Sequence, residues 1–375
     1  MRLKIKHIIL FFVIYSLQSC ISEYNPTELA GNPDIIVVDG IITNGETVVR
    51  LSKSLGINEK FSSAKHLYNA KVYVETGNGE LSEQAKMTEA GKYVIANVDL
   101  KADREYRLKI IYNEDTLVSE FLSPLHTPEI DSITWKKPAP GAAVELFVHT
   151  KDTSNLQRFY RWTYEEIWEY TAKLYANVGI NPIDSSRVLY DEVNGPRNER
   201  YYCWNYKKSS SFILESSANL SDNIIRYKKI HEIPATNNRL SVLYYIIVNQ
   251  YHVRKSAYDY FENQQKNIES MGSIFAPIPS EMKGNIKCIN REIPVIGFVD
   301  VAFNTSNYLY ISGDENLYES PYTFCEVSKE MEPGYLPYTF DPMSGDMDYA
   351  PAHCIDCLKM GGTKNKPDFW PNSHL

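Results

Sequence analysis

The chain has 375 residues, with 39 basic and 47 acidic side chains, a formal net charge of −8 and 43% hydrophobic residues, enough for a packed core and more than one domain. An acidic balance with no basic patch excludes nucleic acid and anionic headgroups as natural partners, because both require clustered Lys and Arg. Aromatic usage is high, with 28 Tyr, 14 Phe and 5 Trp, which suits half-buried strands.

Arg2, Lys4 and Lys6 form a basic head, Ile8 to Leu17 an apolar run, and Ser19 a small residue ahead of Cys20, which is the layout of an export signal. The run is shorter than the roughly 20 residues that span a bilayer. Leu17-Gln18-Ser19-Cys20 resembles the bacterial lipobox, and that resemblance implies cleavage after Ser19 and acylation of Cys20. Two or more acyl chains give stable anchoring, so Cys20 is expected to be an anchor and not a catalyst. Ile21, where bacterial lipoproteins retained at the inner membrane carry Asp, implies outer-membrane delivery. Ser22-Glu23 looks like the short acidic signal that sends some Bacteroidota lipoproteins to the cell surface. Removing residues 1–19 takes away three positive charges and no negative ones, so −8 becomes −11 in the mature chain.

Residues 20–33 carry no periodicity and are expected to be a tether. From 34 to 128, "DIIVVDGIIT", "ETVVRLSKSL", "AKVYVET", "KYVIANVDL", "EYRLKIIY" and "TLVSEFL" are short Val-, Ile- and Tyr-rich runs between turn residues, which predicts six or seven strands in a small sandwich, immunoglobulin-like or transthyretin-like. Asn78-Gly79 is a hairpin signal, because both residues tolerate positive φ. Pro124 and Pro128 close that unit. Residues 129–375 are then expected to form a larger, aromatic-rich β domain with one or two helices, giving a mostly β chain. The clearest helix has Ser256 and Asp259 as an approximate capping box, a stripe of Tyr258, Phe261, Gln265 and Ile268, and Gly272 as its stop; it is expected to pack on a sheet edge. No repeat of about 20 to 50 residues is visible, which argues against a propeller or helical solenoid.

On a strand, Tyr160, Trp162, Tyr164, Glu166, Trp168 and Tyr170 share one face. Tyr160, Trp162, Tyr164 and Trp168 are therefore a candidate binding face for sugar rings or a receptor. The inner face of a two-sheet core is the competing and favoured assignment, and burial decides between them. Glu165 and Glu166 point to opposite faces, so they cannot make the facing carboxylates of glycoside hydrolysis.

After Cys20, Cys203, Cys288, Cys325, Cys354 and Cys357 remain, an odd number. In an oxidising compartment they are expected to form disulfides, with Cys354 or Cys357 bonded to one of the other three. His353 to Cys357, "HCIDC", offers zinc-ligand types but no second pair to complete four ligands. Asp341, Asp346 and Asp348 around Gly345 miss the EF-hand spacing and are expected to form a solvated turn. His231-Glu232 lacks the second His of the zinc-protease pattern, and no nucleophile elbow or phosphate loop is present. No metal, cofactor or catalytic residue is therefore expected. A cell-surface glycan-binding protein or hydrolase, and a structural or adhesive envelope protein, stay open as alternatives to a binding or docking role.

Several separated pieces carry a resemblance: "VVDGIITNGETVVRLSKS", "YNAKVYVETGNGE", "PEIDSITW", "YYIIVNQYHVRKSAYDYFENQQK", "GSIFAPIPSEMKGNI", "PVIGFVDVA" and "CIDCLKMGGTKNKPDFW". With the lipobox they resemble a Bacteroidota family of outer-membrane lipoproteins classed as a domain of unknown function. Members of that family are often encoded beside TonB-dependent receptors. The resemblance thus implies a transporter partner at the outer membrane and assigns no catalytic residue.

Overall fold

The computed structural model describes residues 35–54, 65–154, 156–181, 183, 186–190, 199–209, 213–270, 284–320 and 325–371. The expected signal, tether and Cys20 lie outside the described residues, as does Gly272. Among the described residues no helix is long and apolar enough to cross a membrane.

The protein is mostly β, as expected, and built as two sandwiches. In the first, one sheet contains β1 (Ile36–Thr43), β2 (Gly45–Lys53), β3 (Lys65–His66), β5 (Lys86–Glu89), β6 (Lys92–Val98) and β19 (Val295–Ala302). The facing sheet contains β4 (Lys71–Thr76), β7 (Tyr106–Tyr112), β8 (Asp115–Ser119) and β18 (Ile286–Cys288). Period-two alternation places Ile36, Val38 and Ile42 of β1 inside with Val72, Leu108 and Leu117 of the other sheet, while Asp39, Ile41 and Thr43 share the other face.

The second sandwich opposes β9 (Ile130–Lys136), β10 (Val144–Lys151) and β16 (Ile224–Ile233) to a five-stranded sheet. That sheet contains β11 (Phe159–Thr171), β14 (Tyr202–Lys208), β15 (Ile213–Ser216), β17 (Leu243–His252) and β20 (Asn304–Ser312). Two short ribbons, β12 (Val178–Ile180) with β13 (Arg187–Leu189) and β21 (Tyr335–Phe340) with β22 (Met347–Pro351), complete it beside the one-turn helix α2 (Ala352–Ile355).

The expected division into 34–128 and 129–375 differs from this topology. β18 and β19 return to the first sandwich, where β19 pairs in parallel with β1 from Ile36↔Val295 to Thr43↔Ala302. The return is hard to read because a parallel partner can be any distance away in sequence. Backbone closeness makes it possible: a Cβ on Gly297 would sit 2.3 Å from the Val38 carbonyl oxygen. Only Phe303 separates β19 from β20, so the last strand of one sandwich runs directly into an edge strand of the other.

The helix α1 (Lys255–Ser270) forms where its stripe was expected, with Ala257, Tyr260 and Phe261 as its buried residues. It packs against Phe298 and Ile296 of the edge strand β19 and against Phe159 and Leu214 of the second sandwich. Arg254 just before it pairs with the buried Asp300 of β19, whose carboxylate also accepts from the Arg254 backbone at 2.8 Å. The expected turn at residues 78–79 is present, with Gly79 at φ 88° and its N–H donating to Thr76, but Asn78 keeps negative φ.

Disulfides join Cys203 to Cys357 and Cys325 to Cys354, leaving Cys288 as the free thiol among the described residues. Both sulfurs of "CIDC" are thus engaged in bridges that pin the tail to β14 and to residue 325. Asp341 and Asp346 close the turn between β21 and β22, where Asp341 accepts from Met343 N at 2.8 Å and from Ser344 Oγ at 3.1 Å.

Candidate functional site

The aromatic row on β11 is not a binding face. Tyr160 and Trp162 are 0% exposed, Trp168 7% and Tyr164 8%, and all four join the core between the two sheets of the second sandwich. The pleat places them together as expected, but the face they share meets β9, β10 and β16, not solvent. Two of the polar tips are satisfied internally, Trp162 Nε1 donating to Gln250 at 2.8 Å and the Tyr160 hydroxyl to Asn223 at 2.8 Å, whereas the buried Trp168 Nε1 has no hydrogen-bond partner among the described residues.

Glu166, from the same row, is the buried charge of this core. Its Oε2 accepts from the Tyr244 hydroxyl at 3.0 Å and lies 3.2 Å from His231 Nε2, and its Oε1 is 3.3 Å from Arg239. His231 Nδ1 and the Tyr164 hydroxyl share a hydrogen bond at 2.8 Å, so the ring is held between Tyr164 and Glu166. Arg239 also stacks on Trp168, 4.6 Å from the ring centroid. Burial works against the Glu166 charge, but the His231 contact, Arg239 and Tyr244 outweigh it and hold the carboxyl below its ordinary value. Burial, then Glu166, pushes the Tyr164 phenol up to about 12. The cluster ties β11, β16, β17 and the turn at Asn238–Leu240 together across the core, and its carboxylate side chain is 0% exposed, so it acts as a clamp between sheets.

The open concavity lies between the two sandwiches. Outward residues of β1 and β2 face outward residues of β11 and β17 across a cleft of about 290 Å³, close to the lower end of ligand-sized sites, about 300 Å³. One wall presents Asp39, Thr43, Asn44, Glu46 and Arg50; the other presents Arg161, Thr163, Glu165, Asn249, Tyr251 and Asn304. Arg161 closes the inner end, 3.8 Å from Asp39 and stacked on Phe261 of α1 at 4.5 Å. Glu165 is paired with Lys208 at 2.5 Å. Burial pushes the Tyr251 phenol above its usual value against the effect of its hydrogen bond to Thr163, so it remains a protonated hydrogen-bonding group in neutral solution.

Strand register extends this wall beyond the cleft. Across β11, β17 and β20 the outward rows are Arg161–Tyr251–Asn304, Thr163–Asn249–Ser306, Glu165–Ile247–Tyr308 and Ile167–Tyr245–Tyr310. β14 adds Lys208 to the third row and Tyr206 to the fourth. The polar rows lie in the cleft and the tyrosine rows follow outside it. Tyr308 is 60% exposed and Tyr206 42%. From the tail, Phe369, 54% exposed, stands 5.1 Å from Tyr245, and buried Trp370 anchors it by donating to Glu169 at 2.8 Å. A second concavity, about 460 Å³, is lined by Thr134, Phe147 and Tyr227 of the three-stranded sheet, with Trp135 at its border; Tyr227 is 70% exposed and at φ 54°.

Apart from Tyr164, which borders the cleft, none of the cleft or shelf residues was singled out as a site from sequence. The available signal was alternation: in "LYYIIVNQYH" the outward positions turn from Tyr245 and Ile247 to Asn249 and Tyr251, and in "NTSNYLYIS" from Asn304 and Ser306 to Tyr308 and Tyr310.

No curated protein matches the chain. Among solved structures, a two-domain fibronectin type-III segment from chicken tenascin is similar at 11% identity over 60% of this chain and 92% of that one, with a TM-score of 0.17, too low a score to carry an argument. The tail from Cys325 onward, with the two cysteines of "CIDC", lies outside the span over which a family model matches. That model covers residues 21–307, and the chain belongs to the family it describes, the Domain of unknown function (DUF4249).

Proposed function

We propose that the protein is an outer-membrane lipoprotein, displayed at the cell surface through acylated Cys20, that acts without catalysis as a binding and docking accessory of a TonB-dependent nutrient transporter. The observation that carries the binding role is the polar cleft held between two directly connected sandwiches. Of its three carboxylates, Asp39 lies 3.8 Å from Arg161, Glu165 is paired with Lys208 and Glu46 remains, and the buried Glu166 is closed off in the core. An anchor raises the local concentration of such a module beside its transporter. The lipobox supports the anchor, and the resemblance of the chain to lipoproteins encoded beside TonB-dependent receptors supports the partner.

The test is a mild-detergent pull-down of the tagged protein from its native outer membrane, read by mass spectrometry. Recovery of a TonB-dependent receptor in near-equal amount is the expected result; recovery of the lipoprotein alone contradicts the docking role.

A further inference from the structure

The cleft and the tyrosine rows are one continuous surface, and their chemistry selects a ligand. We infer that this face binds a neutral, extended oligosaccharide, with polar groups of the cleft holding hydroxyls and the aromatic shelf stacking on sugar rings; the inference rests on the non-catalytic binding role proposed above and specifies its ligand.

Three observations carry it. The first is charge. Of the four cations lining the cleft, Arg161 is paired with Asp39, Lys208 with Glu165 and Lys92 with Glu89, which leaves Arg50 and Glu46, one of each sign. With three of its four cations paired to carboxylates and the lining Glu46 opposing the fourth in sign, the cleft has no cluster of unpaired charge to select a phosphate, a uronate or a cationic ligand.

The second is hydrogen-bonding capacity. The side-chain amides of Asn249 and Asn304 have no hydrogen-bond partner among the described residues, although both line the cleft and neither is fully exposed. An amide offers donors and an acceptor together, as each sugar hydroxyl also does, so an uncharged polyol satisfies both sides. Apolar side chains of a peptide do not.

The third is the shelf. Tyr308 belongs to the row that follows Asn249 and Ser306, and Tyr310 and Tyr245 to the next. From the Asn304 row to the Tyr310 row is six residues along β20, or about 20 Å at the rise of an extended strand. That length matches a chain of several rings and exceeds a single sugar. Exposed Tyr308 and Tyr206 present apolar rings with polar tips and Phe369 a wholly apolar ring, which suits partners with one apolar and one wet side. Trp370 and Glu169 fix the tail residue Phe369 at the far end.

The experiment is calorimetric titration of the purified full-length lipoprotein in mild detergent with maltohexaose, cellohexaose, mannohexaose and xylohexaose, with an oligogalacturonate as the charged control. The expected result is saturable binding of at least one neutral oligosaccharide, weakened about tenfold by Tyr308→Ala and by Asn249→Ala, with the thermal melt unchanged for the exposed Tyr308 site. Binding that survives both substitutions overturns the site. Tighter binding of the oligogalacturonate, or of an apolar peptide competitor, overturns the ligand class. Absence of binding by the whole panel overturns the inference alone, because receptor recovery in the pull-down is read independently and Tyr308→Ala is expected to leave it unchanged.

Discussion

Glu166 shows how one side chain sets both stability and its pH dependence. It is a fully buried carboxylate with three partners, and removing its charge leaves Arg239 facing an uncharged amide in the core. Glu166→Gln is therefore expected to destabilise the protein by about 3 kcal/mol at neutral pH, the scale of breaking a buried pair. The folded carboxyl titrates below its ordinary value of 4.5, so its contribution is complete above that value and is lost as the pH falls through the lower, folded one. Urea denaturation across this range should show a constant gap between wild type and variant above about pH 5 that narrows below it; a gap that widens on acidification would contradict the assignment. At this scale the sequence was partly legible. The common face of Tyr160, Trp162, Tyr164, Glu166, Trp168 and Tyr170 followed from the pleat alone. Which sheet that face meets depends on β9, β10 and β16, whose positions no local pattern encodes.

Among the elements, β19 is the one whose placement the local pattern misses. "PVIGFVDVA" reads as a strand, and its alternation gives Ile296, Phe298 and Asp300 one face, but its parallel pairing with β1 joins residues at opposite ends of the matched family span. Gly297 is the residue that permits it, since any Cβ there meets the β1 backbone at Val38. Gly297→Ala is expected to destabilise the first sandwich by about 1–3 kcal/mol, as overpacking does, and to increase hydrogen exchange in β1 and β19 more than in β11 and β17. Equal exchange in both sandwiches would show that the close approach is not specific to this pair. The helix α1 was legible from its stripe; its place between the two bodies was not, because Ile296 and Phe298 of β19 pack on it together with Phe159 and Leu214 of the second sandwich. The two disulfides were legible only as a class of bond, their pairing being decided by how β14 and the tail come together.

For the whole molecule, the chain passes between the sandwiches at residues 119–130, 252–286 and 302–304, and Arg254 with Asp300 and α1 brace the junction. A mostly β, two-sandwich body could be read from runs and turns. The cleft could not, because its two walls come from strands far apart in sequence and only register brings Asn249, Asn304 and Tyr308 into line. In the proposed function it is a lipid on Cys20 that holds the cleft beside a transporter, and the most direct test is metabolic labelling with a palmitate analogue followed by membrane fractionation of wild type and Cys20→Ala. Label and outer-membrane recovery are expected for wild type, and loss of both for Cys20→Ala. A labelled Cys20→Ala protein that still fractionates with the outer membrane would contradict the proposed anchor.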